Sequence, residues 1–176
     1  LGKRFFKDME IKTEISAEQL TDVNCLIDYI RTNPRNLGFA SLCRLAELAN
    51  AKRNEQEAYF TNKSLITEIA KTLPEIGGER ISVLEPSVGA GNFVPFIVKL
   101  FEHKREVKLT VVDIDKDVLV VLKELLKHTP VPRNVHIEFV CNDFLFGFVL
   151  GHYDLVIGNP PFSKSTRGKQ LEYYRL

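Results

Sequence analysis

The second half of the chain carries four short runs rich in β-branched residues, at 81–84, 109–112, 135–140 and 153–157. Helical patterns near 92–102 and 116–127 separate the first three. Strands that alternate with helices predict βαβ crossovers and a mainly parallel sheet. Right-handed crossovers bring the carboxyl ends of the strands to one edge, where a ligand site belongs.

Residues 1–57 read differently: helical, polar and poor in strands. Ser16-Ala17-Glu18-Gln19 fits a capping box, Ser16 bonding forward and Gln19 reaching back. Leu20, Val23, Ile27 and Ile30 then fall on one face of a helix, and Asn33-Pro34 ends it because proline cannot continue the ladder. A second stripe, Leu42, Leu45, Ala46 and Ala49, predicts a helix ending near Asn50, followed over 52–57 by a charged stretch that fits a solvated helix end or a short connector. Thr61 or Asn62 can cap a third helix, with Leu65, Ile66, Ile69, Ala70 and Leu73 on its apolar stripe. The expected division is a helical region over 1–57 and an α/β domain over 58–176.

Composition narrows the functional classes. Of the 176 residues 44% are hydrophobic and 27% charged, enough for a proper core and unlike a disordered chain. Lys plus Arg number 24 against 23 Asp plus Glu, so no global basic field marks a nucleic-acid binder, although a local patch stays open. Cys25, Cys43 and Cys141 lack C-x-x-C spacing and fit thiols of a reducing, cytoplasmic compartment rather than a disulfide frame or zinc site. His103, His128, His136 and His152 are scattered and read as surface or strand-end residues, with no metal site implied. No apolar run approaches the roughly 18 residues of a membrane helix, and the first residues lack the apolar stretch of a secretory signal. The first residue is Leu rather than Met, which fits an excerpt of a longer protein.

Four segments carry chemistry. Glu85-Pro86-Ser87-Val88-Gly89-Ala90-Gly91-Asn92-Phe93 runs from a strand through a glycine loop into a helix. Its glycines let the backbone pass close beneath a ligand, but Val94 stands where the dinucleotide fingerprint has its third glycine. Asp113, followed by Ile114, ends the second strand about twenty residues later, where a carboxylate can accept from ribose hydroxyls. Asp115 fits a helix cap instead. Asp143-Phe144 follows the third strand and suits an adenine amine beside a packing aromatic, or else a solvated turn. Phe146 and Phe148 alternate with Phe144 as packing residues, and Phe93 and Phe96 suit sealing a helix onto the sheet. Asn159-Pro160-Pro161-Phe162 follows the fourth strand. Proline has no N–H, yet its carbonyl still accepts, so Asn159 and Pro160 can both face one NH2 group beside an aromatic plane.

In this order the four segments resemble S-adenosylmethionine-dependent amino-methyltransferases, most closely the DNA adenine-specific enzymes of restriction–modification systems. The resemblance covers about residues 58–162 and implies a Rossmann-like class I methyltransferase fold behind a small helical region. It implies S-adenosyl-L-methionine as cofactor, held by Glu85, Pro86, Ser87, Gly89, Gly91, Asn92, Phe93, Asp113, Ile114, Asp143 and Phe144. Ala58-Tyr59-Phe60-Thr61-Asn62 is similar to a further cofactor motif, adding Phe60 and Thr61, although many relatives carry Thr-Pro where Thr61-Asn62 stands. Asn159, Pro160, Pro161 and Phe162 then match the catalytic tetrapeptide. The implied reaction is methylation of a flipped adenine in double-stranded DNA, without a covalent enzyme intermediate. A cognate restriction endonuclease is the implied further partner.

Protein glutamine and ribosomal RNA guanine methyltransferases share the Asn-Pro-Pro-aromatic sequence, and the protein-modifying ones carry a helical appendage. Their cofactor loop typically opens Asp-Leu-Gly, whereas Glu85-Pro86-Ser87 stands here, which favours DNA. A cofactor-binding domain without turnover is the non-enzymatic alternative. The family's sheet has about seven strands and a separate recognition region; four strands are legible here, so the expectation is a cofactor half with its catalytic tetrapeptide, possessing no target-recognition part of its own. The basic tail 163–169 is expected either beside the DNA backbone or as a mobile end.

Overall fold

The computed structural model describes residues 16–33, 35–50, 61, 63–144, 146 and 151–160. The charged stretch 52–57, the cap at Asn62, Phe148 and the basic tail lie outside these residues. Four parallel strands form one sheet: β1 (Arg80–Glu85), β2 (Glu106–Asp113), β3 (Val135–Cys141) and the short β4 (Leu155–Val156). Their spatial order is β3-β2-β1-β4. The alternation of apolar strands and helices thus produces the expected α/β architecture. β1 is buried along most of its length, as a central parallel strand covered on both faces must be.

The helical half contains α1 (Ala17–Leu20), α2 (Val23–Thr32), α3 (Phe39–Ala49) and α4 (Lys63–Thr72). The capping box forms as read: Ser16 N–H donates to Gln19 Oε1 at 2.9 Å, and Gln19 N–H to Ser16 Oγ at 3.1 Å. The single helix expected behind it is broken in two. Asp22 adopts an extended backbone and its carboxylate accepts from Cys25 N–H at 2.9 Å, starting α2 afresh. Asn33 closes α2 in the left-handed region, its side-chain amide bonded to both backbone groups of Leu37. Along α4, Ile66 is buried and Ile69 and Leu73 pack on the sheet core, whereas Leu65 stands exposed.

Two helices follow β1 and β2: α5 (Val94–Phe101), with Pro95 in its first turn, and α6 (Lys116–Leu125). Phe93 and Phe96 seal α5 onto the sheet, Phe93 within the core itself. A 3₁₀ turn, Leu126–His128, ends α6 where a longer helix is expected. No helix among the described residues is long and apolar enough to cross a membrane.

α6 is buried on two faces, and this joins the two halves of the chain. Leu119 and Leu122 belong to the sheet core, while Val121 and Leu125 belong to a second core with Leu20, Leu26, Ile30, Leu42 and Leu45. Arg31 of α2 pairs with Glu124 at 3.3 Å on the same helix. The described part of the helical region therefore has no core separate from the α/β unit. Truncation at either face should register alike: Leu122→Ala and Leu125→Ala are each expected to cost about 2–5 kcal/mol. Urea denaturation measures both; a cost under roughly 1 kcal/mol for Leu125→Ala would mark α2 and α3 as a loose attachment.

Candidate active site

The crossovers run outward from β1 through β2 to β3, and the chain then places β4 on the opposite flank of β1. Strand order reverses between β1 and β4, and open α/β sheets bind ligands outside the carboxyl ends at such a reversal. The loops after these two strands press together there. A Cβ on Gly158 would lie 3.0 Å from Pro86 Cδ, so Gly158 and Asn159 run against the start of the glycine loop.

That loop is shaped by its own backbone and by α6. Val88 N–H donates to Val112 O, Gly91 N–H to Val88 O and Val94 N–H to Gly91 O, all within 3.0 Å. Gly91 has φ +81°, and a Cβ there would stand 2.3 Å from Leu122 Cδ1, so conformation and space both require glycine. Gly89 also lies at positive φ, and its N–H donates to Asp113 Oδ2 at 3.0 Å. The other oxygen, Oδ1, accepts from Asp115 N–H at 2.9 Å. Asp113 thus ties the loop after β1 to the end of β2. Asp115 caps α6 by accepting from Asp117 N–H at 3.0 Å, and Ile114 between the two aspartates is exposed.

The same edge continues to β3. Asn142 N–H donates to Asp113 O at 3.0 Å, and Asp143 follows with its N–H on Asn142 Oδ1. Phe144 is exposed and Phe146 is 79% exposed, so Phe146 is no core residue. It sits in a turn beyond the strand end, where alternation no longer aims side chains into the sheet.

Glu85 is the most unusual group of this edge. It is 1% exposed, and its Oε2 has no hydrogen-bond partner among the described residues. Burial, followed by the charge of Asp113, pushes its carboxyl well above the ordinary glutamate value. Burial raises Asp113 as well, against the lowering effect of its backbone donors.

Asn159 donates from Nδ2 to the buried hydroxyl of Thr61 at 3.0 Å, joining the tetrapeptide to the segment just before α4. Thr61, which the resemblance assigns to the cofactor, accepts this bond from Asn159. Pro86 and Ser87 are half-buried, and Pro160 is exposed. Phe60, Pro161 and Phe162 lie outside the described residues. Sequence reasoning missed two contributors from α3. Cys43 Sγ–H donates to Ala90 O at 3.0 Å, and Glu47 accepts from the side-chain amide of Asn92. Their spacing of four put both on one helical turn-face, but nothing in the pattern named the loop as their target.

The switch-point site, the glycine loop and the acidic strand ends define a class I, Rossmann-like methyltransferase fold. A solved structure from Listeria monocytogenes, described as a candidate class I S-adenosylmethionine-dependent methyltransferase, matches with TM-score 0.52 at 15% identity. The match covers 99% of this chain and 54% of the other, so the chain spans about half the length of that relative. No curated protein matches the sequence. Residues 51–173 match the methyltransferase small domain, and the chain belongs to that family.

The family is one of methyltransferases, and the solved structure is described as S-adenosylmethionine-dependent. The residues fit such a ligand: Asp113 is fixed at a strand end, and Glu85 offers an acceptor oxygen without a partner among the described residues. The buried acids also predict a pH dependence. A carboxyl whose folded pKa is raised keeps its proton in the native state after the unfolded chain has released it, so stability falls as pH rises. For Glu85 that fall begins near the ordinary value of 4.5 and continues through the raised folded value. Without ligand, Glu85→Gln is therefore expected to melt higher than the unaltered chain at about pH 8, with the gap closing near pH 4. Thermal unfolding across that range checks it; equal melting curves at both ends would remove the buried charge from the account.

Proposed function

We propose that the chain transfers a methyl group to the exocyclic N6 of adenine in double-stranded DNA, as the modifying activity of a restriction–modification system with a cognate endonuclease as partner. The carrying observation is Asn159, the first residue of Asn-Pro-Pro-Phe, seated after β4 against the glycine loop with its amide held by Thr61. When bound, S-adenosylmethionine supplies an activated methyl group on a sulfonium, so the protein's task is to position and polarise the acceptor nitrogen. Thr61 holds the Asn159 amide, while the neighbouring Gly158 lies against Pro86 at the head of the glycine loop.

An amide has a donor edge and an acceptor edge. With Nδ2 turned to Thr61 Oγ1, the opposite edge of Asn159 is Oδ1, an acceptor suited to an amine hydrogen. The Pro160 carbonyl is the second acceptor, and the proline ring brings no N–H to compete for the site. Two acceptors on one NH2 group draw its lone pair away from ring conjugation, which favours attack on carbon. Phe162 stacks on the flipped base, and DNA supplies that base at the expense of unstacking it. Glu85-Pro86-Ser87 at the head of the loop supports adenine in DNA over other NH2 acceptors.

The second reading is a protein glutamine or ribosomal RNA guanine methyltransferase, whose acceptors are also NH2 groups. It is supported by the helical region packed on α6, since protein-modifying relatives carry a helical appendage. Incorporation of labelled methyl from S-adenosylmethionine into DNA, ribosomal RNA and release-factor protein, run in parallel, separates the readings. Label is expected on adenine N6 of DNA; label confined to RNA or protein would replace the DNA reading by the second one. Asn159→Ala is expected to lower transfer by roughly 10²–10³-fold. Its cofactor affinity should stay within about threefold, and undiminished transfer would remove Asn159 from the chemistry. Thr61→Val, which deletes the acceptor of the amide, is expected to slow transfer about tenfold.

A further inference from the structure

One helix of the N-terminal half grips the glycine loop on both sides of its most constrained residue. Cys43 of α3 donates to the carbonyl of Ala90, and Glu47, one turn later, accepts from Asn92 Nδ2. Between them lies Gly91, fixed at φ +81° over Leu122. Ala90 itself packs against the helical core that contains Leu42, Leu45 and Ala46. A carboxylate can only accept, so Glu47 dictates that the nitrogen edge of Asn92 faces α3 and the oxygen edge faces the other way. Packing alone does not explain this residue. Leu42, Leu45, Ala46 and Ala49 already bury α3, whereas Glu47 brings a charge to a side chain only 15% exposed, with Arg44 at 3.7 Å. Such a desolvated carboxylate is costly unless its hydrogen bonds are made, and the one the loop offers comes from Asn92.

We infer that Glu47 is a positioning residue for the cofactor loop, acting through Asn92, so that the affinity for S-adenosylmethionine is set partly from the helical region. The inference rests on the glycine loop being the cofactor loop. Cys43 has the companion role at Ala90; burial pushes its thiol far up, so it stays a neutral donor to that carbonyl. A side chain outside the α/β unit thereby fixes which edge of a loop amide the ligand meets.

Calorimetric titration of the full chain with S-adenosylhomocysteine tests this. Glu47→Ala is expected to weaken binding at least about fivefold. Glu47→Gln keeps an acceptor oxygen for Asn92 and is expected to stay within about twofold of the unaltered chain. Glu47→Ala combined with Asn92→Ala should bind no worse than Asn92→Ala alone, because the two side chains act through one bond. Unchanged binding by Glu47→Ala, or equal weakening by Gln and Ala, would overturn the inference. Should Glu47→Ala fail to fold, Glu47→Met, which keeps the side-chain volume and removes the acceptor, decides: about fivefold weaker binding supports the inference and undiminished binding overturns it. No binding by the unaltered chain would overturn the cofactor-loop reading itself, and the inference with it.

Discussion

The contact between Gly91 and Leu122 governs the carboxyl edge of the sheet. With no side chain at Gly91, the loop after β1 lies directly on α6 where a Cβ would overlap Leu122. From that seat the Gly89 N–H reaches Asp113, and Asp113 in turn receives the loop after β3 through Asn142. Leu122 is wholly buried, so its position is fixed by the sheet core beneath it. The next faces of the same helix, Val121 and Leu125, anchor α2 and α3. One helix therefore sets the floor of the glycine loop and the bearing of the helices that clamp it. A well-packed interior transmits such constraints because it has few voids to absorb them.

The site is built at a cost to stability. Glu85 is buried with an oxygen lacking a partner among the described residues, and Asp113 stands close enough to disfavour its charge. Groups placed against their own solvation in this way cluster where ligands bind, since a ligand can supply the missing partner. By contrast, at the amino-terminal end of the same strands Asp154 accepts from both the N–H and the hydroxyl of Ser82, pinning β4 to β1. The two ends of the same strand pair thus differ in kind, one tied off and one left open to a ligand.

Much of this was legible in the chain. The alternation of β-branched runs and helical stripes marks all four strands, most plainly β1, whose burial along most of its length demands an apolar run. The acids at 85, 113 and 143 and Asn159 were legible as strand-end residues. What was hidden follows from long-range packing. The break at Asp22 depends on a cap that competes with an unbroken apolar stripe. Phe146 falls on the alternation of a packing residue, yet it lies past the end of the strand that would orient it. Cys43 and Glu47 could not be matched to Ala90 and Asn92, 47 and 45 residues away, without knowing that α3 docks on α6. Thr61 and Asn159, 98 residues apart, meet only because β4 returns beside β1.

The central claim is that the loops after β1, β2, β3 and β4 form one S-adenosylmethionine site at the strand-order reversal. Hydrogen–deuterium exchange of the chain with and without saturating S-adenosylmethionine tests it most directly. Slowed exchange is expected at 86–92, 113–115 and 142–144, extending to 157–159, with the amino-terminal ends of the strands unaffected. Protection elsewhere, or none at the glycine loop under saturation, would contradict the account.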